Sequence, residues 1–348
     1  MTAQNLVFWF EEVGREHNDK VGKKCANLGV MAQMGLPVPP GFAVSIDLYR
    51  EFVRETGAMA EITSYVKSLG DLKGQGIELF DRASEIIQGI IENKEMPLTL
   101  RELISAYYEG LCKKTGIANV AVSVRSAGTE SRPGMFETYL NVRGAEEVLR
   151  KVKKVWASAY TGRAIAFRAN KGIPVIGDEL GVAVPKMVNA HASGIGFTVN
   201  PVDGDGSKVI IESNWGLGEG VVSGAEHVDR FVVNKANMEI TERAIGKKTK
   251  QVLNKEAGVE WAEVPPDRQS LPSLTDSEIR EVAQIAMTLE ERLGSPQDIE
   301  WAFDADLTFP GNLFLLQTRP AKVAVKDRRS TSDHIADLIA RSFGGVSH

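Results

Sequence analysis

Four polar residues alternate with apolar ones in two short runs near the end of the sequence. Asp298 and Glu300 belong to the first run, and Gln317 and Arg319 belong to the second, which follows a Pro-Gly turn. Because successive side chains of a strand point to opposite faces, each pair is predicted to share one face of its strand. Carboxylates are hard ligands for Mg²⁺, and arginine forms charge-assisted hydrogen bonds with phosphate. The pattern fits a metal-bound polyphosphate, and equally a surface hairpin with a solvated polar face.

A further cation, Arg125, follows the apolar run 120–124 and opens a loop of small, hydroxyl and Pro-Gly residues. Glycines let backbone N–H groups approach an anion, and arginine binds phosphate through two parallel hydrogen bonds. Lys23 and Lys24 precede the first helical pattern, where the helix dipole favours anions. A simple turn and a solvated lysine pair are the plainer interpretations of these two motifs. Neither P-loop spacing nor a kinase catalytic loop occurs in the sequence, which disfavours the common NTPase mechanisms.

The composition excludes several classes of protein. The 348 residues exceed the usual size of one core, so two domains or lobes are expected. A formal net charge of -5 argues against broad nucleic-acid binding but allows a local phosphate pocket. Only Cys25 and Cys112 occur, and the sequence has neither a signal-peptide pattern nor an apolar stretch of membrane-spanning length. We therefore expect a cytoplasmic protein without a membrane or nucleic-acid partner.

Helical and strand patterns divide the sequence into two parts. Three- and four-residue apolar spacing predicts helices over 46–112 and 145–171, whereas short strand-like runs dominate the second half. Between these runs we expect a polar stretch at 247–273 and a helix over 276–293. This order predicts an α+β fold of two lobes with a cleft between them. We place the first lobe, with its helical insert, at residues 1–185 and the second lobe at residues 186–322. Residues 323–348 form a tail predicted to be helical, because its apolar residues recur at helical spacing.

Five groups of residues occur together and in order, and the set is more specific than any one motif. Their positions are 22–28, 123–141, 193–201, 212–219 and the two alternating runs at 296–301 and 313–320. On these residues the chain resembles, from about residue 15 to residue 322, the N-terminal ATP-grasp domain of the phosphoenolpyruvate synthase and pyruvate phosphate dikinase family. The resemblance implies an ATP-grasp fold that holds ATP and Mg²⁺ in a cleft between two lobes.

The resemblance also implies roles for individual residues. Lys24, Arg125 and Arg319 match the family's catalytic cations, and Asp298, Glu300 and Gln317 match its metal ligands. Cations and a metal neutralise the charge that spreads over a transferring phosphoryl group. The full set of implied nucleotide-binding positions is Lys24, Arg125, Gly134, Thr138, Lys186, Val188, Glu300, Gln317 and Arg319.

Two positions depart from the family pattern. Pro185 stands where the family usually has a glutamine near the adenine, which puts base recognition in doubt and removes a backbone donor. Cys25 replaces a usual glycine beside Lys24. We expect Cys25 to be a small buried residue, with a reactive thiol as the alternative.

The implied activity is cleavage of ATP to AMP and phosphate, with a phosphoryl group passing to a histidine on a mobile carrier. None of the five histidines lies in the family's carrier context, and we treat the partial match at His348 as a coincidence. We therefore expect the phosphorylatable histidine on a partner subunit. Phenylphosphate synthase is divided in this way, so phenol is one expected final acceptor and pyruvate another. The alternatives are a non-catalytic, nucleotide-responsive regulatory subunit and an ATP-grasp ligase that releases ADP.

Overall fold

The computed structural model describes residues 5–130, 135–176, 178–219, 227–256 and 258–322. Contacts between residues divide this part of the chain into two units. The first comprises residues 5–30 and 40–187, and the second comprises residues 31–39 and 188–322. The mixture of helices and sheets confirms the predicted α+β class. The predicted helical tail, residues 323–348, lies outside the described residues.

A five-stranded antiparallel sheet forms the centre of the first unit, with strand order β1-β2-β5-β3-β4. The strands are β1 (Val7–Trp9), β2 (Gly41–Val44), β3 (Val122–Ala127), β4 (Thr138–Val142) and β5 (Gly181–Pro185). The helices are α1 (Asn18–Val21), α2 (Lys23–Gln33), α3 (Ile46–Glu55), α4 (Ala58–Ser68), α5 (Ile77–Asn93), α6 (Leu98–Thr115), α7 (Ala145–Ala157) and α8 (Gly162–Lys171). Helix α2 continues into the second unit at residue 31.

The helices of the first unit follow the apolar spacing of the sequence. In α5, the buried residues Phe80, Ala83, Ile87 and Ile91 recur every three or four positions, so they form one stripe along the helix. This stripe belongs to a single core that also contains residues of α3, α4, α6 and α7 and of the sheet, including Trp156. The helical insert is therefore packed into the core of the unit that carries the sheet.

The second unit is built on a six-stranded antiparallel sheet with strand order β13-β12-β6-β7-β8-β9. One helix, α9 (Asp276–Leu293), begins at a capping box formed by Thr275 and Glu278 and ends at Gly294. Within the described ranges, every helix of either unit is too short or too polar to cross a bilayer. The strands are β6 (Ala190–Phe197), β7 (Lys208–Trp215), β8 (Asp229–Asn234), β9 (Ile240–Ala244), β12 (Gln297–Asp304) and β13 (Leu313–Pro320), with a separate hairpin of β10 (Lys250–Asn254) and β11 (Val259–Glu263).

A buried ion pair fixes the segment between β9 and α9 to the sheet. Lys248 and Asp229 are both fully buried, and the Lys248 Nζ to Asp229 Oδ1 distance is 2.6 Å. The other carboxylate oxygen accepts hydrogen bonds from the backbone N–H and the hydroxyl of Ser273 at 2.6 and 2.7 Å. Because every polar group of this pair has a partner, its burial costs little, and it holds both ends of the segment in place.

Candidate functional site

The two alternating runs form adjacent antiparallel strands, as the sequence predicted. In the register of β12 and β13, Asp298 lies opposite Arg319 and Glu300 lies opposite Gln317. Directly opposed residues of an antiparallel pair point to the same face, so all four side chains share one face of the hairpin. A bulge between Glu300 and Trp301 shifts the register beyond these residues.

This polar face is buried. The exposed fractions are 6% for Asp298 and 5% for Glu300, which contradicts the alternative of a solvated surface hairpin. Arg319 Nε lies 2.5 Å from Asp298 Oδ2. Burial raises the pKa of Asp298, and the charge and hydrogen bond of Arg319 oppose that rise. The carbonyl oxygen of the Gln317 side chain is buried and has no hydrogen-bond partner among the described residues. An unsatisfied buried acceptor is costly unless a ligand completes it.

Helix α9 packs on the opposite face of the same sheet. Just before α9, Ser273 shares a 2.6 Å hydrogen bond with Ser213 of β7. Asp276, the first residue of α9, lies 2.9 Å from Arg243 of β9. Arg243 is paired with Phe231 of β8, and both side chains lie on the same face of the sheet as Ser213. The face that carries Glu300 is therefore not the one that the helix covers.

One row of directly paired residues crosses four strands on the face of Glu300. From β7 to β13 it contains Glu212, Ile195, Glu300 and Gln317. Burial raises the pKa of Glu212 to about 7, against the effect of Arg230, which pairs with it on β8. The sequence interpretation quoted Glu212 within a motif but gave it no role. The sequence signal that could have identified Glu212 as a functional residue is a single carboxylate directly after the apolar run 209–211.

Two of the predicted site residues of the first unit, Arg125 and Thr138, lie on neighbouring strands. Arg125 of β3 pairs with Thr138 of β4 on one side and with Ala183 of β5 on the other, so the Arg125 and Thr138 side chains share a face. Gly134, the other predicted residue of this loop, lies outside the described residues. Beyond it, the Glu137 N–H donates to the Ser158 hydroxyl at 3.1 Å and fixes the loop where β4 begins.

The start of α2 is fixed against the end of β3. The Lys23 N–H donates to the carbonyl oxygen of Gly128 at 2.9 Å. Gly22 adopts a φ of 81°, and a Cβ there would lie 2.0 Å from the carbonyl oxygen of Ala127. Only glycine meets both conditions, and the tight turn sets the first residues of α2, Lys24 included, beside the loop that Arg125 opens.

Cys25 is fully buried, as the preferred interpretation expected. Burial raises the pKa of its thiol to about 12, although the positive charges of Lys24 and Arg125 act in the opposite direction. A thiol with this pKa remains protonated and unreactive at neutral pH.

The residues around Pro185 fall at the boundary of the units. Pro185 ends β5 and pairs with Gly41, while the N–H groups of Lys186 and Met187 donate to backbone carbonyl oxygens at 2.8 and 2.7 Å. Val188 is buried and belongs to the second unit. The missing N–H of Pro185 is thus compatible with the strand, and the predicted roles of Lys186 and Val188 remain predictions.

Predicted site residues occur in both units. The first unit contains the cations Lys24 and Arg125, and the second contains carboxylates, an amide and a paired guanidinium. In the described part of the chain, no three His, Cys, Asp or Glu residues cluster closely enough to hold a metal ion by themselves.

Comparisons with known proteins identify the family of this chain. The family model described as "Pyruvate phosphate dikinase, AMP/ATP-binding domain" matches residues 18–338. A probable phosphoenolpyruvate synthase of Methanocaldococcus jannaschii is 37% identical over 97% of this chain and 28% of its own length. The phosphoenolpyruvate synthase of Aeropyrum pernix is 38% identical over 92% of this chain and 43% of its own length.

Among solved structures, an ADP complex of N5-carboxyaminoimidazole ribonucleotide synthetase matches 77% of this chain and 64% of its own. Its identity of 11% and TM-score of 0.26 are too low to support an argument. The chain spans less than half of the length of each of the two synthases named above. With a family model that matches nearly its whole length, the chain belongs to the AMP/ATP-binding domain family of pyruvate phosphate dikinase.

Proposed function

We propose that this chain is an ATP-grasp module that binds MgATP. The observation that carries the proposal is the buried polar face of β12 and β13, where Asp298, Glu300, Gln317 and Arg319 lie together. A buried face with two carboxylates and an unsatisfied amide oxygen is costly without a ligand. The cations Lys24 and Arg125 would bind phosphate oxygens of the same nucleotide.

The residues present fit a magnesium ion. Glu300 and the unpartnered side-chain oxygen of Gln317 would be its protein ligands, since both are oxygen donors on directly paired residues. Asp298 would contribute through Oδ1, because its Oδ2 is bound to Arg319. Magnesium, when bound, supplies positive charge that neutralises the phosphates. Arg319, held by Asp298, would donate hydrogen bonds to a phosphate oxygen.

We further propose that the bound ATP is cleaved to AMP in a phosphoryl transfer. In this reaction the β-phosphoryl group moves to a nitrogen of a histidine on a carrier subunit, and water takes the γ-phosphate as inorganic phosphate. The family assignment and the names of the relatives support this reaction class. Phenol, pyruvate or another alcohol or enol would be the final acceptor, and the two cysteines suit a cytoplasmic location.

Calorimetric titration with ATP, with and without Mg²⁺, tests nucleotide binding directly. We expect Glu300→Gln and Gln317→Leu each to weaken binding of MgATP at least roughly tenfold, since each removes an oxygen ligand or its charge. The matched control is Glu242→Gln, which removes one carboxylate from the exposed strand β9. Unchanged affinity in both site variants would contradict the proposed face, and loss of affinity in the control would show an effect of net charge alone.

Pro185 supports one second candidate, a non-catalytic, nucleotide-responsive regulatory subunit. The residue stands where base recognition is expected and supplies no N–H. Two results together would favour this regulatory role. The chain would bind ATP measurably, and Glu300→Gln would leave the turnover of the partner unchanged. Release of ADP with a carboxylate substrate would instead identify a ligase.

A further inference from the structure

Glu212 is a buried carboxylate on the face of the proposed nucleotide site. Two strand spacings separate it from Glu300 in the row that Ile195 bridges. Because neighbouring strands lie about 4.8 Å apart, the Cα atoms of Glu212 and Glu300 are roughly 10 Å apart. Glu212 is 5% exposed, nearly the same fraction as Glu300, so the two carboxylates are equally withdrawn from water.

The surroundings of Glu212 offer it few partners. On its own face, Ile210 precedes it on β7 and Ile195 lies opposite it. Asn214, the next residue on that face, uses its side chain for the carbonyl of Lys250 and the N–H of Trp215. The remaining neighbour is the paired cation on β8, whose guanidinium contacts Glu242. Within the described ranges, no hydrogen bond or ion pair engages the Glu212 carboxylate, although its neighbouring cation lowers its pKa.

The chemistry of ATP restricts what this carboxylate can contact. The triphosphate presents only acceptors and negative charge, and it would repel Glu212. The hydrogen-bond donors of the nucleotide are the two ribose hydroxyls and the adenine amino group. The ribose is attached directly to the triphosphate, whereas the amino group lies on the far side of the base. Glu212 lies two strand spacings from the proposed metal ligands. The ribose hydroxyls are therefore a better match for its carboxylate than the adenine amino group.

We propose that Glu212 determines specificity for the sugar by accepting hydrogen bonds from the ribose hydroxyls of the bound nucleotide. The proposal rests on the proposed function, because it takes the polar face of β12 and β13 as the phosphate end of the site. A carboxylate that accepts from a ribose 2′-hydroxyl is a common solution in nucleotide-binding proteins. The flanking residues Ile195 and Ile210 exclude water from the contact.

Calorimetric titration of the full chain with MgATP and with Mg-2′-deoxyATP tests this assignment. We expect the unmodified chain to bind ATP roughly tenfold more tightly than 2′-deoxyATP, as a hydrogen bond to a charged group predicts. In Glu212→Gln this preference should fall below about threefold, since the amide oxygen carries no charge. The control Glu242→Gln, which also removes a carboxylate near Arg230, should keep the full preference.

The outcomes separate the two proposals. Tight ATP binding with the same sugar preference in the unmodified chain and in Glu212→Gln would overturn the role of Glu212 and leave the proposed function intact. Equal binding of both nucleotides by the unmodified chain would overturn it as well. An absence of ATP binding in the unmodified chain would overturn the proposed function and this role with it. A thermal melt of Glu212→Gln that matches the unmodified chain excludes misfolding as the cause of a lost preference.

Discussion

The buried carboxylate of Glu212 should make the stability of the protein depend on pH. Its pKa of about 7 in the folded chain compares with an ordinary value of 4.5. Between these values the folded state binds more protons than the unfolded state, so stability falls as pH rises from about 4.5 to about 7. One pKa unit corresponds to about 1.4 kcal/mol, so this effect reaches at most about 3 kcal/mol at pH 8.

Replacement of Glu212 by glutamine removes this cost, because the amide stays neutral at every pH. We expect Glu212→Gln to equal the unmodified chain in stability at pH 4.5 and to exceed it by about 2–3 kcal/mol at pH 8. Urea denaturation followed by tryptophan fluorescence at both pH values measures the difference. The exposed carboxylate of Glu242 provides the control, since Glu242→Gln should change stability little at either pH. The quantity to compare is the difference in free energy of unfolding between Glu212→Gln and the unmodified chain. A difference at pH 8 that is no larger than the difference at pH 4.5 would refute the reasoning.

Three further predictions concern groups near the site. Arg319→Met should lower the free energy of unfolding by roughly 2–3 kcal/mol, because it leaves the buried Asp298 carboxylate without its partner; the loss is smaller than for a fully buried pair, since the Arg319 side chain is 26% exposed. Adding Asp298→Asn should restore part of this loss, as measured by urea denaturation. Gly22→Ala should cost roughly 2 kcal/mol or more, because its Cβ would overlap the carbonyl oxygen of Ala127 at a φ of 81°; an unchanged melting temperature would contradict this. The Cys25 thiol should resist 5,5′-dithiobis(2-nitrobenzoic acid) at pH 8 until urea unfolds the chain, since burial raises its pKa to about 12; mass spectrometry of the labelled peptide would detect any reaction in the native state.

Local sequence pattern was sufficient for the elements with strong periodicity. The helix predicted over 276–293 coincides with α9, because a capping box and a terminal glycine mark its ends. The two alternating runs form the predicted strands, and they pair with each other across the loop 305–312. In both cases the signals lie within a few residues of one another, so no knowledge of distant contacts was needed.

Long-range features could not be predicted in the same way. The segment 247–273 was interpreted only as a polar stretch, yet it contains β10 and β11 and the buried residue Lys248. The burial of Lys248 depends on Asp229, 19 positions earlier, and no local pattern encodes that pairing. The row from Glu212 to Gln317 likewise depends on strand order, which brings together residues more than 100 positions apart.

Product analysis tests the central claim of an AMP-forming phosphotransferase subunit most directly. The purified chain, ATP, Mg²⁺ and a candidate carrier protein with a phosphorylatable histidine would be incubated together and followed by ³¹P nuclear magnetic resonance. We expect AMP and inorganic phosphate to form, with a phosphorylated histidine on the partner, and the Glu300→Gln chain to abolish all three. ADP as the only nucleotide product would contradict the claim.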